Sequence, residues 1–417
     1  IRNIISKYSR INKDKLLKKI FKNYELNTFE FFEIKKFYPK VINEKMLLKT
    51  KNSWSQLFLD SKIKINKIDY YINDINYKKF INQKTIGNSI NEFIRKQKIV
   101  TGSIVMNLSN VVIKDNSLLI FYNKNLAIQE TYGDKDWLQF RLNKWPTAHN
   151  RHIAKITFHK KNYYKRINTY IIEKKLKIIN KPAIYLSGII EDNFFHWIFD
   201  TMLKLYVFEK FPRLRKLPII VRDPLNKYQI DMFKIFGVKN KIICTNGQSF
   251  KAKNLFVPNI PSPPVYSKPA VTWLRKKFLV NIKKDHLNKK NRIYISRKDA
   301  KHRKVINDQQ ISDGLKKFNF KTLILSQMTL REQINAFRNA ECIILPHGAG
   351  AAHLLFAPKN CKIIELQSPS QLNNMFSCLA KILNYKYGFL VGSENKQSNF
   401  NYTISLSKLL KLVKKAL

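Results

Sequence analysis

The chain has 417 residues, 44% of them apolar and 12% aromatic, which excludes a mostly disordered protein and allows two ordinary domains plus an appendage. Its 78 Lys and Arg against 28 Asp and Glu give a formal net charge of +50, which points to nucleic acid, an anionic membrane face or phosphorylated small molecules. The basic residues are spread rather than blocked, and Lys, Asn and Ile dominate as in chains from AT-rich genomes, so charge alone assigns no partner.

Residues 1–100 are rich in Lys, Asn, Ile and aromatics, with hardly any glycine, and are expected to form a basic, mostly helical extension. Within it, 16–22 reads as a basic amphipathic helix, and Ile86, Ile90, Phe93 and Ile94 share one helical face. Residues 101–262 read as a first α/β half. It opens with short strands at 104–106, 111–113 and 118–122, separated by Asn/Asp/Ser turns in the manner of an antiparallel meander. A strand at 184–186 follows. Asp192 is placed to cap a helix from 193 to 210, stopped by Pro212. Strands at 218–221, 241–244 and 254–257 enclose a helix at 227–236, and the prolines of 258–264 read as a linker.

Residues 263–395 read as a second α/β half. A long basic helix over 269–284 leads to strands at 292–296, 321–325, 342–345, 363–366 and 387–391, with helices between them. Strands separated by helices imply right-handed βαβ units, a parallel sheet, and ligands at the carboxyl ends of its strands. Residues 396–417 end in a basic amphipathic helix, which packs as a closing element or lies on a membrane surface. No uninterrupted apolar run reaches the length of a membrane span. Cys244, Cys342, Cys361 and Cys378 lack metal-type spacing and mostly sit in or beside apolar runs, so buried reduced thiols and a reducing compartment are expected.

Three stretches carry chemistry. The apolar run 342–345 feeds Pro346, His347, Gly348, Ala349 and Gly350, then a short helix over 351–356. A strand, a glycine turn and a helix N-terminus direct free N–H groups and the positive end of a dipole at one point, which binds phosphate. His347 is placed to touch a phosphate or a developing negative charge, His353 to pack in the helix, and Glu365, near the end of the next strand, to accept hydrogen bonds from a ribose. Ser296, Arg297, Lys298 and Asp299, with Lys301, His302 and Arg303, lie at another strand end, where arginine suits bidentate phosphate binding and lysine a point charge. In Glu191, Asp192, Asn193, Phe194, Phe195, His196, Trp197, Ile198, Phe199 and Asp200, the His196/Asp200 spacing places both on one helical face with Cβ atoms about 5–6 Å apart. A carboxylate beside a histidine holds its tautomer, so the pair is either a general base or a helix pair that merely satisfies itself. No Walker A, GxSxG or GxGxxG motif and no DxD or His/carboxylate metal cluster stands in the sheet half.

These three motifs, in this order, resemble glycosyltransferase family 61, of the capsular polysaccharide biosynthesis type, over roughly residues 104–392. The resemblance implies a GT-B fold, two Rossmann-like halves across a cleft, and inverting transfer of a sugar from a nucleotide donor without a bound metal or cofactor. The expected donor is UDP-linked, and the expected acceptor is a hydroxyl of a glycan or lipid-linked glycan in surface polysaccharide synthesis. By position, Arg297, Lys298, Arg303, His347, Gly348, Ala349 and Gly350 would hold the diphosphate and Glu365 the ribose. His196 and Asp200 would lie near the acceptor with Glu191, Asp192 and Asn193; either of the pair serves as base, His196 being preferred. Reduced cysteines and a basic exterior fit a cytoplasmic enzyme on the inner membrane face, with no specific nucleic acid. A polyol-phosphate transferase of the same fold, and a non-catalytic polyanion-binding protein, are the alternatives.

Overall fold

The structure is a computed structural model. It describes residues 177–187, 192–222, 224–245, 250–259, 267–282, 291–369, 372–394 and 400–417, together with Asp69 and the strands between residues 31 and 172. The fold is mixed α/β, built on a ten-stranded mixed sheet and a five-stranded parallel sheet.

Apart from Asp69, the described residues of the first hundred, a stretch expected to be mostly helical, lie in strands: β1 (Phe31–Glu33), β2 (Lys40–Ile42), β3 (Ser53–Gln56), β4 (Lys84–Thr85) and β5 (Asn88–Ser89). Aromatic and β-branched side chains such as Phe31, Phe32, Val41 and Ile42 suit a pleated surface once a sheet edge is available. The hairpin of β4 and β5 occupies part of the stretch assigned to a helix around Ile86 and Ile90, and the helix expected at 16–22 lies outside the described residues.

The expected meander is present, as β6 (Ile104–Lys114), β7 (Leu119–Asn123) and β8 (Leu126–Ile128). Its first two expected strands are one: Asn110 takes a positive φ of 54° inside a continuous β6, a conformation asparagine tolerates. Strands β9 (Ile153–Thr157) and β10 (Ile167–Ile172) pair with β1 in a separate small sheet. Next come β11 (Lys177–Ile179), β12 (Ala183–Tyr185), β13 (Ile219–Val221), β14 (Ile242–Cys244) and β15 (Phe250–Asn259). The large sheet runs β14-β13-β12-β15-β6-β7-β8-β2, with β11 on β15 and β3 on β6. Its first four strands are parallel, and β15 meets β6 antiparallel, so the meander joins the parallel portion of this half in one mixed sheet.

The second sheet comprises β16 (Asn291–Ile295), β17 (Phe320–Leu323), β18 (Ala340–Pro346), β19 (Lys362–Gln367) and β20 (Lys386–Val391). All are parallel, in the order β17-β16-β18-β19-β20. Helices at Asp308–Lys316, Leu330–Arg338 and Met375–Ile382 connect them, the second closed at its start by a capping box of Thr329 and Glu332. The two-residue period of β18 sends Ile343 and Leu345 into a core that also holds Trp197, Phe199, Leu203 and Phe356. Cys342 and Ile344 point the other way, under the C-terminal helix.

That helix, Leu406–Ala416, buries Leu409, Leu412, Val413 and Ala416 and turns Lys408, Lys411, Lys414 and Lys415 to solvent. Three large aliphatic side chains at roughly 1.5–3 kcal/mol each anchor it firmly, so it is the closing element of the two alternatives. Among the described residues no helix is long and apolar enough to cross a membrane. All four cysteines are free; burial pushes the Cys342 thiol up to about 12. At the free edge of β20, Asp69 N–H donates to the Tyr387 carbonyl and Tyr387 N–H donates to Asp69 Oδ2, each at 2.8 Å.

Candidate active site

In the parallel sheet β16 lies between β17 and β18. The chain leaves β16 toward one side and β18 toward the other, so the order reverses between these two strands, and a crevice opens beyond their carboxyl ends. The loop after β16 carries Arg297 and the turn after β18 carries Gly348, and the two meet there. A Cβ added to Gly348 would stand 2.1 Å from Arg297 Nη1, so the guanidinium lies directly on the glycine. Beside it a cavity of about 180 Å³ is lined by Ile295, Ser296, Arg297, Pro346, Gly350 and Ala351, among others. The expected α-helix after the turn is a 3-10 helix, Ala349–Phe356, and its first N–H groups lack partners within the helix by geometry. Gly350 faces Leu325 closely, its added Cβ falling 3.0 Å from Cδ1, so bulk at this point would crowd the turn.

Asp308 holds the basic loop in place: Oδ1 accepts from Tyr294 O–H at 2.5 Å and Oδ2 from the Ser296 hydroxyl at 2.7 Å. Ser296 Oγ in turn accepts from Lys298 N–H at 3.2 Å. Arg297 donates to the His302 carbonyl at 3.1 Å, while its Nε is enclosed without a partner. Arg303, at a positive φ of 57°, sits close enough to Arg297 to feel its charge. Burial lowers both guanidinium pKa values, and for Arg303 the charge of Arg297 lowers it further. Neither arginine has a carboxylate within ion-pair distance among the described residues. Asp299 acts on Arg297 and Glu365 on Arg303 only from beyond ion-pair distance, so two half-buried cations held together form a site that an anion stabilises. Lys298 is exposed and Ala349 half-buried at the rim.

Glu365 departs from expectation. Its carboxylate has no exposure: Oε1 meets His347 Nδ1 at 2.6 Å and Oε2 accepts from the Tyr387 hydroxyl. The two-residue alternation of β19 turns this side chain into the sheet's covering layer, where both of its oxygens already have partners. Tyr387 on β20 is fully buried, and its hydroxyl pKa is raised well above the ordinary value by burial and by Glu365. His347 lies against the Phe376 ring, centroids 5.2 Å apart.

The other half brings its helix to the same place. Asn193, rather than Asp192, is the N-cap: Oδ1 accepts from Phe195 N–H at 3.0 Å and His196 N–H at 3.4 Å. Asp192 is exposed, its carbonyl accepting from Tyr228 O–H, and Glu191 lies outside the described residues. The expected single helix is an α turn at Phe194–His196, a π turn at Trp197–Thr201 and a 3-10 turn at Met202–Tyr206, with α-helix again at Val207–Lys210. A wide π turn is frequent at functional sites. His196 Nδ1 stands 2.8 Å from Asp200 Oδ2; the imidazole is 28% exposed and the carboxylate 4%. A ring open to solvent on an enclosed carboxylate is able to exchange a proton with a ligand.

The helix and the glycine turn are in contact. Phe194 stacks on His353 at 4.4 Å and 12°, and Phe195 meets Phe376 edge-on at 5.5 Å. Phe376 thus touches both Phe195, next to His196, and His347. Among the described residues no group of three or more His, Cys, Asp or Glu is placed to hold a metal. Sequence reasoning missed Tyr387, Asp308 and Phe376. Only Asp308 had a signal, as an acid in the first turn of the helix after the basic loop.

Residues 194–364, which take in 194–200, the Arg297 loop and the Gly348 turn, match the family model of Glycosyltransferase 61. The match supports that family, and with it a glycosyltransferase. No curated protein matches the chain. Among solved structures it is similar to the dodecameric iron-containing heptosyltransferase TibC in complex with ADP-D-beta-D-heptose, at 10% identity over 59% of this chain and 70% of that one. The TM-score is 0.26, and the likeness carries no argument.

Proposed function

We propose that the chain is an inverting, metal-independent glycosyltransferase of GT-B type that moves a sugar from a nucleotide-sugar donor, UDP-linked, to a hydroxyl of a glycan or lipid-linked acceptor. The observation that carries this is Arg297 lying on the Gly348 turn at the carboxyl ends of β16 and β18, with Arg303 near enough to feel its charge and neither in an ion pair with a carboxylate. A diphosphate supplies the missing charge and accepts from the turn's N–H groups. Across from it, His196, oriented by Asp200, takes the acceptor proton as the acceptor oxygen attacks the anomeric carbon. The bond from that carbon to the β-phosphate oxygen breaks, and the electron pair stays on the phosphate, stabilised by the guanidiniums. The basic exterior fits work beside an anionic membrane face in surface polysaccharide synthesis.

Thermal-shift measurement against a panel of nucleotide sugars tests this, because a ligand bound to the folded form raises Tm. One nucleotide series is expected to stabilise the wild-type chain, and Arg297→Ala to lose most of that shift. Equal shifts in both proteins would remove Arg297 from the donor site. Saturable binding with a preference among bases separates a donor site from polyanion binding, which falls steeply with salt and prefers none.

A further inference from the structure

We infer that Glu365 and Tyr387 are positioning residues that hold His347 with Nε2 turned to the leaving diphosphate, which makes this second imidazole a hydrogen-bond donor in the transfer. The assignment rests on the donor site proposed above. Nδ1 of His347 is fixed on Glu365 Oε1, and the other carboxylate oxygen is fixed by the Tyr387 hydroxyl. Both anchors come from neighbouring strands of one rigid sheet, β19 and β20. The carboxylate has no exposure and the imidazole keeps 8%. Nε2, across the ring from Nδ1, makes no hydrogen bond among the described residues.

His347 immediately precedes Gly348, on which the Arg297 guanidinium lies, and its ring rests on Phe376, which also touches Phe195 beside His196. Because Nδ1–H donates to the carboxylate, Nε2 is fixed as the working nitrogen. With both nitrogens protonated, Nε2–H donates to the phosphate oxygen that gains the electron pair when the anomeric C–O bond breaks; the acceptor's proton leaves separately, on His196. The two arginines neutralise the diphosphate as a whole, and the imidazole acts on one oxygen, where charge grows during the reaction.

The test uses the full chain with 15N-labelled histidine, the His347 signals being assigned with His347→Gln. In the wild type, Nδ1 is expected to carry a proton in a carboxylate hydrogen bond, and UDP to shift Nε2. In Glu365→Gln the Nδ1 signal should move, and kcat should fall about 100-fold with the donor KM unchanged. Tyr387→Phe should change both in the same direction by less; it keeps the buried volume and carries the test if Glu365→Gln does not fold. A raised donor KM with kcat preserved would overturn the assignment, because the carboxylate would then be gripping the donor. An Nδ1 signal identical in wild type and Glu365→Gln overturns it as well. A wild-type chain that binds no nucleoside diphosphate sinks the donor site and the role of Nε2 together, while the Nδ1 comparison still decides whether Glu365 positions the ring.

Discussion

His196 with Asp200 and His347 with Glu365 are two imidazole–carboxylate pairs built in opposite ways. The first lies on one helical turn, four residues apart, with an open ring over a nearly enclosed carboxylate. The second joins neighbouring strands β18 and β19 across eighteen residues, and its carboxylate has no exposure and a second anchor in Tyr387. An open ring is able to meet an incoming alcohol, pass its proton on and reset against solvent. An enclosed ring with a doubly held partner keeps one orientation. The first arrangement suits a base that turns over protons, and the second suits a fixed donor at a growing charge.

Exchanging these roles is the hardest test. His196→Ala should lower kcat by about 10²–10⁴-fold and leave nucleotide binding in place, measured as initial rates beside a UDP titration. Asp200→Asn separates the members of the pair, because it keeps the shape and loses the charge that orients Nδ1. An activity loss for Asp200→Asn equal to that for His196→Ala marks them as one unit. Wild-type turnover in His196→Ala would remove the ring from the mechanism.

Gly348→Ala addresses the ground on which the enclosed pair stands. The φ of 161° at Gly348 is extended backbone that alanine also adopts, so the substitution adds no backbone strain. Its methyl would instead meet Arg297 Nη1 at 2.1 Å and push the guanidinium off the turn. The end of a long side chain moves cheaply, so stability should change by no more than about 0.5 kcal/mol. Nucleotide affinity should fall about tenfold, since a hydrogen bond to a charged group is worth roughly 1.5–3 kcal/mol. A loss of Tm with affinity intact would make Gly348 a packing residue.

The difference between the pairs also explains what the sequence made legible. Helical spacing is local, so His196 and Asp200 were readable from a four-residue interval, and Gly348 with Arg297 from their places at strand ends. The partner of Glu365 depends on which strands become neighbours and which face each side chain takes, and a one-residue change in register reverses that face. An acid near a strand end therefore read as a ribose ligand when it is a buried partner of His347. The π turn at Trp197–Thr201 was hidden because its residues are ordinary helix formers, and the wider turn follows from packing. In the first hundred residues the short described segments 40–42 and 53–56 join the large sheet as strands, a pairing with distant β8 and β6 that local composition does not reveal.

His353 tests the contact between the halves. The ring stacks between Phe194 and Phe337, with Nδ1 2.9 Å from the Gly350 carbonyl and Nε2 2.6 Å from Gln333 Oε1. Burial pulls its pKa down to about 4, against the opposing pull of the Gly350 carbonyl. An unfolded histidine takes up a proton near about 6.5. Between these values the unfolded chain binds more protons, so this residue's contribution to stability is full above about 6.5 and is lost as pH falls toward 4. Subtracting the urea-unfolding curve of His353→Phe from that of the wild type at each pH should isolate this slope. A difference that does not vary across that window would mean that the ring is already charged in the fold.

The smallest effect is expected at Asp69, where the N-terminal hundred residues reach the enclosed pair. Asp69 Oδ2 accepts from Tyr387 N–H, on the strand whose tyrosine hydroxyl holds Glu365. Asp69→Ala removes that hydrogen bond and keeps the one from Asp69 N–H to the Tyr387 carbonyl. The aspartate is exposed, so the cost lies near the lower end of about 0.5–1.5 kcal/mol. Tyr387 is buried in the sheet, and its ring is placed by packing from every side rather than by the edge contact. Tm should therefore drop slightly while kcat changes less than about twofold, a shift below roughly 0.4 kcal/mol. A tenfold fall in kcat at unchanged Tm would show that the edge of β20 sets the His347 ring, tying the enclosed pair to the N-terminal segment.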